Sequence, residues 1–267
     1  MQSIPEIGLS DVRAVYSGRE SDLWQLLMGH QIHVGGFQSS MDLADRGGIG
    51  HGMHGVDLCC CNGAGMRLLV RFRGVGSMTG VDATEAVVER GRRLCTEDGL
   101  EDRIRFVLGD ACASGLPDSS ADFVWGEDAW CYVVDKGTLL SEAARIVKPG
   151  GTIAFTDWVS GPRPMSDAEA ERFLRFMKFS NVESIPGYRR LLERSGCDVL
   201  EAEDSGRFVP YLDLYRMMAE MQLTYDALRI LDFDLAALAQ VAGEMSFLQE
   251  LARAGKLVQG RFIARRG

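Results

Sequence analysis

The sequence predicts an α/β protein. Its core is a doubly wound, mostly parallel seven-stranded sheet, with a helical N-terminal segment and a helical insertion before the last strand. Three observations carry this. Short apolar runs alternate with segments of helical length and period, which favours parallel strands joined by right-handed crossovers. Residues 56–65 (VDLCCCNGAG) read as a buried strand, a tight turn and a helix start, because small residues follow the apolar run and MRLLVRFRG follows them. A further apolar run stops on an acid, Val81-Asp82, the place where nucleotide-binding sheets grip ribose hydroxyls.

Taken in order, the first eighteen residues show no clear period. Residues 21–28 read as a short amphipathic helix, 29–37 as a glycine- and histidine-bearing loop, and 39–47 as a helix closed by Gly47-Gly48. Strands are expected at 55–60, 77–82, 104–108, 122–125 and 152–157, and helices at 66–73, 84–97, 136–147 and 167–179. Pro149-Gly150-Gly151 reads as a stop and turn between a helix and a strand. Beyond it come a loop at 160–164, a helix at 187–195 and a sixth strand at 197–202. Residues 211–254 are helical in pattern with a break near Asp232, and 257–264 form a seventh strand. The division that follows is a cap at 1–50, a core at 51–204, a lid or cap insertion at 205–255 and a final core strand at 256–267.

With 46% hydrophobic and 25% charged residues the composition is that of an ordinary globular chain. A net charge of −9 argues against a general nucleic-acid binder, which needs a phosphate-neutralising face. No apolar run reaches membrane-spanning length, and the first residues lack the basic-then-apolar order of a secretory signal. Seven cysteines form no disulfide framework, so a reducing, cytoplasmic setting is expected. A homodimer is entertained.

The chemistry gathers at predicted carboxyl ends of strands. Gly63-Ala64-Gly65 opens a helix whose N–H groups face a ligand. Asp82 ends the second strand, Gly109-Asp110-Ala111 follows the third, and Gly126-Glu127-Asp128-Ala129-Trp130 ends the fourth. Asp110 is placed to accept from an adenine amino group while the next N–H meets a ring nitrogen. Together these describe an adenosine site at a switch point of an open sheet.

On these residues the chain resembles the class I S-adenosylmethionine-dependent methyltransferases, most closely the sarcosine/dimethylglycine N-methyltransferase type. That family's first motif, D-x-G-x-G-x-G, stands here as Asp57 through Gly63, with Cys59 and Cys61 in place of two glycines. VDAT (81–84) is similar to its ribose-binding strand end, LGDA (108–111) to its adenine turn and DFVWGEDAW (122–130) to its fourth motif. ARIVKPGGTIAFTDW (144–158) resembles its fifth strand region, QGRFIARR (259–266) its antiparallel last strand, and GHQIHVGG (29–36) a loop covering the cofactor. The resemblance implies S-adenosylmethionine as cofactor, with Gln31, Asp57, Cys59, Cys61, Gly63, Asp82, Ala83, Gly109, Asp110, Ala111 and Glu127 around it. It implies methyl transfer to a small molecule, N-methylation of an amine or else O- or C-methylation of a secondary metabolite. Where the resembling N-methyltransferases have a His, this chain has Tyr132.

Methyl transfer needs alignment more than covalent help, but an acceptor with an acidic proton needs a base. His33, Glu127, Tyr132 and Asp157 are the candidates, and His33, Trp130, Tyr132 and Trp158 are candidates for the substrate wall. Each has a plainer reading. Asp82 is a helix cap, Asp110 a turn residue, His30 and His33 exposed loop residues, and the aromatics ordinary packing. Cys59-Cys60-Cys61 fits buried strand cysteine better than a metal or arsenic site, since adjacent strand residues face opposite ways. The Met-rich run 215–223 is helix core or a lid. From other classes, a nicotinamide-dependent oxidoreductase would share Asp82 but lacks G-x-G-x-x-G here, and a cofactor-binding protein without catalysis is the third alternative.

Overall fold

The computed structural model describes residues 6–267. In chain order the elements are α1 (Leu9–Tyr16), α2 (Arg19–Met28), α3 (Gly36–Arg46), β1 (His54–Leu58), α4 (Ala64–Phe72), β2 (Ser77–Asp82), α5 (Glu85–Glu97), β3 (Ile104–Leu108) and β4 (Ala121–Glu127). After a 3₁₀ turn (Trp130–Tyr132) come α6 (Lys136–Ile146), β5 (Val147–Ser160), α7 (Asp167–Met177), α8 (Ile185–Arg194), β6 (Cys197–Asp204), α9 (Phe208–Met221), α10 (Thr224–Ile230), α11 (Leu235–Arg253) and β7 (Leu257–Arg266).

The seven strands form one sheet in the order β3-β2-β1-β4-β5-β7-β6. β1 to β5 are parallel, and β7 runs antiparallel between β5 and β6. The strand order reverses between β1 and β4, which leaves a crevice at their carboxyl ends. Both faces of the sheet are covered, as a parallel sheet requires. Along β4, Val124 joins Val56, Leu58 and Phe155 in one core, while Phe123 and Trp125 join Met66, Leu69 and Met78 in the other.

Four local expectations change. The first eighteen residues contain α1, an eight-residue helix. β1 stops at Leu58, so Cys59, Cys60 and Cys61 lie in the following turn and not in a strand. Pro149-Gly150-Gly151 does not end the chain's path in the sheet. It sits inside β5 as an irregularity, where β4 Ala121 faces Val147 and Phe123 already faces Thr152. Gly150 takes φ 73° there, which only glycine adopts at little cost. Residues 211–254 break twice, at 222–223 as well as near Asp232.

Candidate active site

The strand ends open onto a cavity of about 430 Å³. It is built from the turn after β1. Gly63 caps α4 at φ 72°, and a Cβ there would meet the Phe106 ring at 2.6 Å, so the turn admits no side chain. Cys59 and Cys61 also have left-handed backbone, at φ 65° and 48°. Their amides, with that of Cys60, hold the turn against β2: Cys59 and Cys60 donate to Val81 O (2.8 and 3.1 Å), and Cys61 donates to Asp82 Oδ2 (2.9 Å). The Asp82 Oδ1 accepts from Thr84 N at 2.9 Å. Asp82 is thus a cap for α5 and a wall of the cavity at once. Burial raises its pKa, with the backbone amides of Thr84 and Cys61 pulling the other way.

Asp82 and Asp110 converge. Asp82 pairs with Leu108 across β2 and β3, Gly109 N donates to Asp82 O at 2.9 Å, and both acids line the cavity. Asp110 Oδ1 accepts from Cys112 N at 2.8 Å, an Asx-turn that leaves its other oxygen outward. Asp57 also lines the cavity, only 5% exposed. Among the described residues no donor is placed to hydrogen-bond its carboxylate. Burial, then the charges of Glu127 and Asp82, raises its pKa well above the usual carboxylate range.

On the far wall a polar network joins α3 to β4. Ser40 Oγ donates to Glu127 Oε1 (2.7 Å), Gln31 Nε2 donates to Ser40 Oγ (2.9 Å), and Trp125 Nε1 donates to Glu127 Oε2 (3.1 Å). The His33 Nε2 lies 3.4 Å from Glu127 Oε1 and 3.2 Å from Ser40 Oγ. Burial raises the pKa of Glu127 against the pull of His33 and Ser40. Asp128 is tied differently: its Oδ2 accepts from Val34 N and from Gln259 Nε2, both at 2.8 Å, which staples the loop after α2 to β7.

Of the candidates that the sequence singles out, Gln31, His33, Asp57, Cys59, Cys61, Asp82, Ala83, Asp110, Ala111, Glu127 and Tyr132 line this cavity. Gly63 and Gly109 shape the turns beneath it. Two candidates for the substrate wall are corrected. Trp130 is fully buried, stacked on Phe155 at 4.1 Å, with Nε1 donating to Leu58 O at 3.1 Å. Gly126 makes room for its indole, since a Cβ at Gly126 would lie 2.3 Å from Trp130 Nε1. Trp158 points into the aromatic cluster of Phe173, Phe179 and Phe208, 3% exposed. Asp157 is likewise no base: fully buried, its two oxygens accept from Cys131 N (3.0 Å) and the Tyr188 hydroxyl (2.6 Å).

The cavity also has a wall that the sequence did not announce, α1. Leu9, Val12 and Tyr16 line the cavity from one helix face, and Arg13 Nε fixes the helix by donating to Ala83 O at 3.0 Å. The i, i+3, i+7 spacing of those three residues is the signal that could have found it. The Tyr16 and Tyr132 rings meet edge to face at 5.5 Å. Burial raises both hydroxyls, Tyr16 well above 10, so both stay protonated and act as donors and not as bases. No cavity-lining residue comes from 205–255 among the described residues; α9 reaches the site only through Tyr215, whose hydroxyl accepts from Gly35 N at 3.3 Å.

Comparison with known proteins agrees with this geometry. Residues 56–155 match the model of a methyltransferase domain. The 27-O-demethylrifamycin SV methyltransferase of Amycolatopsis mediterranei is 30% identical over 57% of this chain and 57% of its own length. The glycine/sarcosine/dimethylglycine N-methyltransferase of Actinopolyspora halophila is 26% identical over 74% of this chain and 37% of its own. The chain therefore spans little more than half the length of one of these relatives and less of the other. A solved structure from Galdieria sulphuraria, provisionally assigned as a sarcosine dimethylglycine methyltransferase, superposes with a TM-score of 0.76 at 25% identity, covering 86% of each chain. The turn after β1, the acids ending β2 and β3, and this sheet order are thus found in a chain whose residues 56–155 match a methyltransferase domain and whose fold is similar to that solved structure.

Proposed function

We propose that the chain transfers the methyl group of S-adenosylmethionine to a small-molecule acceptor. One observation carries this reading. The cavity is lined by six carboxylates, Asp57, Asp82, Asp110, Glu127, Asp128 and Asp135, and by no Lys or Arg among the described residues. Such a cavity suits a ligand bearing a sulfonium and an ammonium, and it repels the diphosphate of a nicotinamide cofactor. The residues present fit the cofactor: the buried carboxylate of Asp57, without a donor of its own among the described residues, is a ready partner for the ammonium.

In this reading Asp82 takes the ribose hydroxyls and Asp110 the adenine amino group. The cofactor carboxylate meets the amides opening α4. Gln31, Cys59, Cys61, Ala83 and Ala111 complete the walls. Bound there, the cofactor supplies an electrophilic methyl on positively charged sulfur. His33, oriented by Ser40 and Glu127, is the group to receive an acceptor proton, and Tyr132 is a donor and wall. The surrounding carboxylates also stabilise positive charge developing on an amine nitrogen, which supports N-methylation. A second reading, O- or C-methylation of a secondary metabolite, is favoured by the apolar wall of Leu9, Val12, Val133 and Val134.

Titration calorimetry with S-adenosylhomocysteine and NAD in parallel tests the cofactor. Binding of the first alone is expected, and binding of NAD alone overturns the reading. Transfer of a radiolabelled methyl to any member of a metabolite mixture separates an enzyme from a non-catalytic binder. A cytoplasmic setting and a homodimer belong to the same proposal. Seven free thiols support a reducing compartment, and among the described residues no helix is long and apolar enough to cross a membrane. Size-exclusion chromatography with light scattering tests the dimer.

A further inference from the structure

From the charges around the cavity we infer that the acceptor carries no carboxylate or phosphate: it is a neutral or cationic small molecule with an apolar or aromatic body. This rests on the methyltransferase reading and narrows it. Amino acids and phosphorylated amines present an anion beside the nitrogen to be methylated, and proteins recognise such anions with Arg, Lys or an open helix N-terminus. Among the described residues none of these is free at the cavity.

The Lys and Arg side chains near the cavity are committed elsewhere or lie outside its lining. Lys136 is 4% exposed, and its ammonium donates to Val133 O (2.9 Å), Asn181 O (3.2 Å) and Asn181 Oδ1 (2.7 Å). Three donors meet three oxygens, so none remains for a ligand. Arg90 donates to Gln25 Oε1 at 2.8 Å and Arg13 to Ala83 O at 3.0 Å, and neither side chain lines the cavity. His33 faces the Glu127 carboxylate at 3.4 Å, so any charge it carries is balanced. His30 is exposed on the rim. The N-terminus of α6 points its amides toward this space, but Asp135 caps it, with Oδ1 accepting from Thr138 N at 2.9 Å. The opening of α4 is left to the cofactor carboxylate. What remains for an acceptor is the aromatic and aliphatic wall of Tyr16, Tyr132, Val133 and Val134, with carboxylates behind it. That surface welcomes a cation or an uncharged ring and penalises an anion.

The test uses the full chain and matched acceptor pairs: phenethylamine against phenylalanine, tyramine against tyrosine, and ethanolamine against phosphoethanolamine. Calorimetry with S-adenosylhomocysteine comes first, since failure there removes the methyltransferase reading itself. With the cofactor product bound, saturation-transfer NMR reads acceptor binding, and radiolabelled transfer reads turnover. The expected result is a preference of about tenfold or more for the member without the anion in at least one pair, and no pair reversed. Equal or better use of the amino acid or the phosphate ester overturns the inference, and so does a cavity that binds no member lacking an anion. Val134→Arg gives a second reading. Val134 is 58% exposed on the rim, and a guanidinium there is expected to raise binding of the anionic members about tenfold. If the variant leaves their binding unchanged while S-adenosylhomocysteine still binds, the missing cation is not what excludes them and the inference fails.

Discussion

Three adjacent cysteines offer a test in which one residue type gives opposite signs. Cys61 holds φ 48° and is half-buried on the cavity wall, whereas Cys60 has ordinary φ and is 6% exposed in the core. A Cβ in left-handed backbone costs about 1–2 kcal/mol, and glycine avoids that cost. Glycine also loosens the unfolded chain, which returns about 0.5–1 kcal/mol of the gain. Cys61→Gly is therefore expected to stabilise by about 0.5–1 kcal/mol and to raise Tm by about 1–3 °C. Cys60→Gly removes a thiol packed where the Cβ of Gly80 would lie, 2.5 Å from Cys60 Sγ. It gains nothing from the backbone and is expected to lose about 2 kcal/mol. Urea unfolding under reducing conditions, followed by tryptophan fluorescence, measures both. Calorimetry with S-adenosylhomocysteine measures binding, which Cys61→Gly is expected to keep or tighten. The reasoning is refuted if Cys61→Gly destabilises or Cys60→Gly does not. Loss of cofactor in Cys61→Gly would mean that its thiol, whose pKa burial pushes up to about 12, has a role beyond filling the turn.

Asp82→Ala removes the acceptor for both Cys61 N and Thr84 N; binding of S-adenosylhomocysteine should weaken by more than about 1 kcal/mol, and an unchanged Kd would remove Asp82 from the ribose site. Gly65→Ala would set a Cβ 3.0 Å from Glu127 Oε2 and 3.4 Å from Trp125 Nε1. Glu127 must then shift, so Kd should rise about tenfold while a Gly→Ala change at the second residue of α4 keeps stability within about 1 kcal/mol; intact binding would show that the Glu127 position is irrelevant to the ligand. Asp157 is expected to make stability fall with rising pH. Burial raises its folded pKa to about 6 from 3.8, with Lys136 opposing, so the folded state holds the proton more tightly. The penalty for charging it is absent below about pH 4 and complete above about pH 6, on the order of 1–3 kcal/mol. Asp157→Asn should therefore gain on the native protein as pH rises from about 4 to 6, read from urea midpoints; a constant difference would refute the assignment.

The sheet is legible in the sequence because buried parallel strands are continuous apolar runs, and the strands expected at 77–82 and 104–108 match the structure to the residue. Asp82 and Asp110 are legible for a related reason: an acid ending an apolar run has one place to be, at the carboxyl edge. Once the chain leaves the sheet, period two carries no further information. Trp130 and Tyr132 are two residues apart in one 3₁₀ turn, yet the first packs under Phe155 and the second faces the cavity. The space left by Gly126 and the Leu58 carbonyl take in the first, and Tyr16 meets the second. The same limit hides the turn geometry of Cys59 and Cys61, which three small apolar residues after a strand do not announce. α1 escapes because eight residues carry too little amphipathic signal, and its position depends on Arg13 reaching Ala83 O, a contact across 70 residues.

The charge of the cavity belongs to both levels. Its acids can be counted in the sequence, one motif at a time. The missing counter-cation cannot, because Lys136 stands next to Asp135 in the chain and only the fold shows where each side chain goes. In the fold the two separate. Asp135 turns to the amide of Thr138, and Lys136 turns inward to Val133 and Asn181. The site is therefore lined by acids in space with no Lys or Arg among the described residues beside them. That imbalance is the property by which ligand selection can be tested independently of the fold.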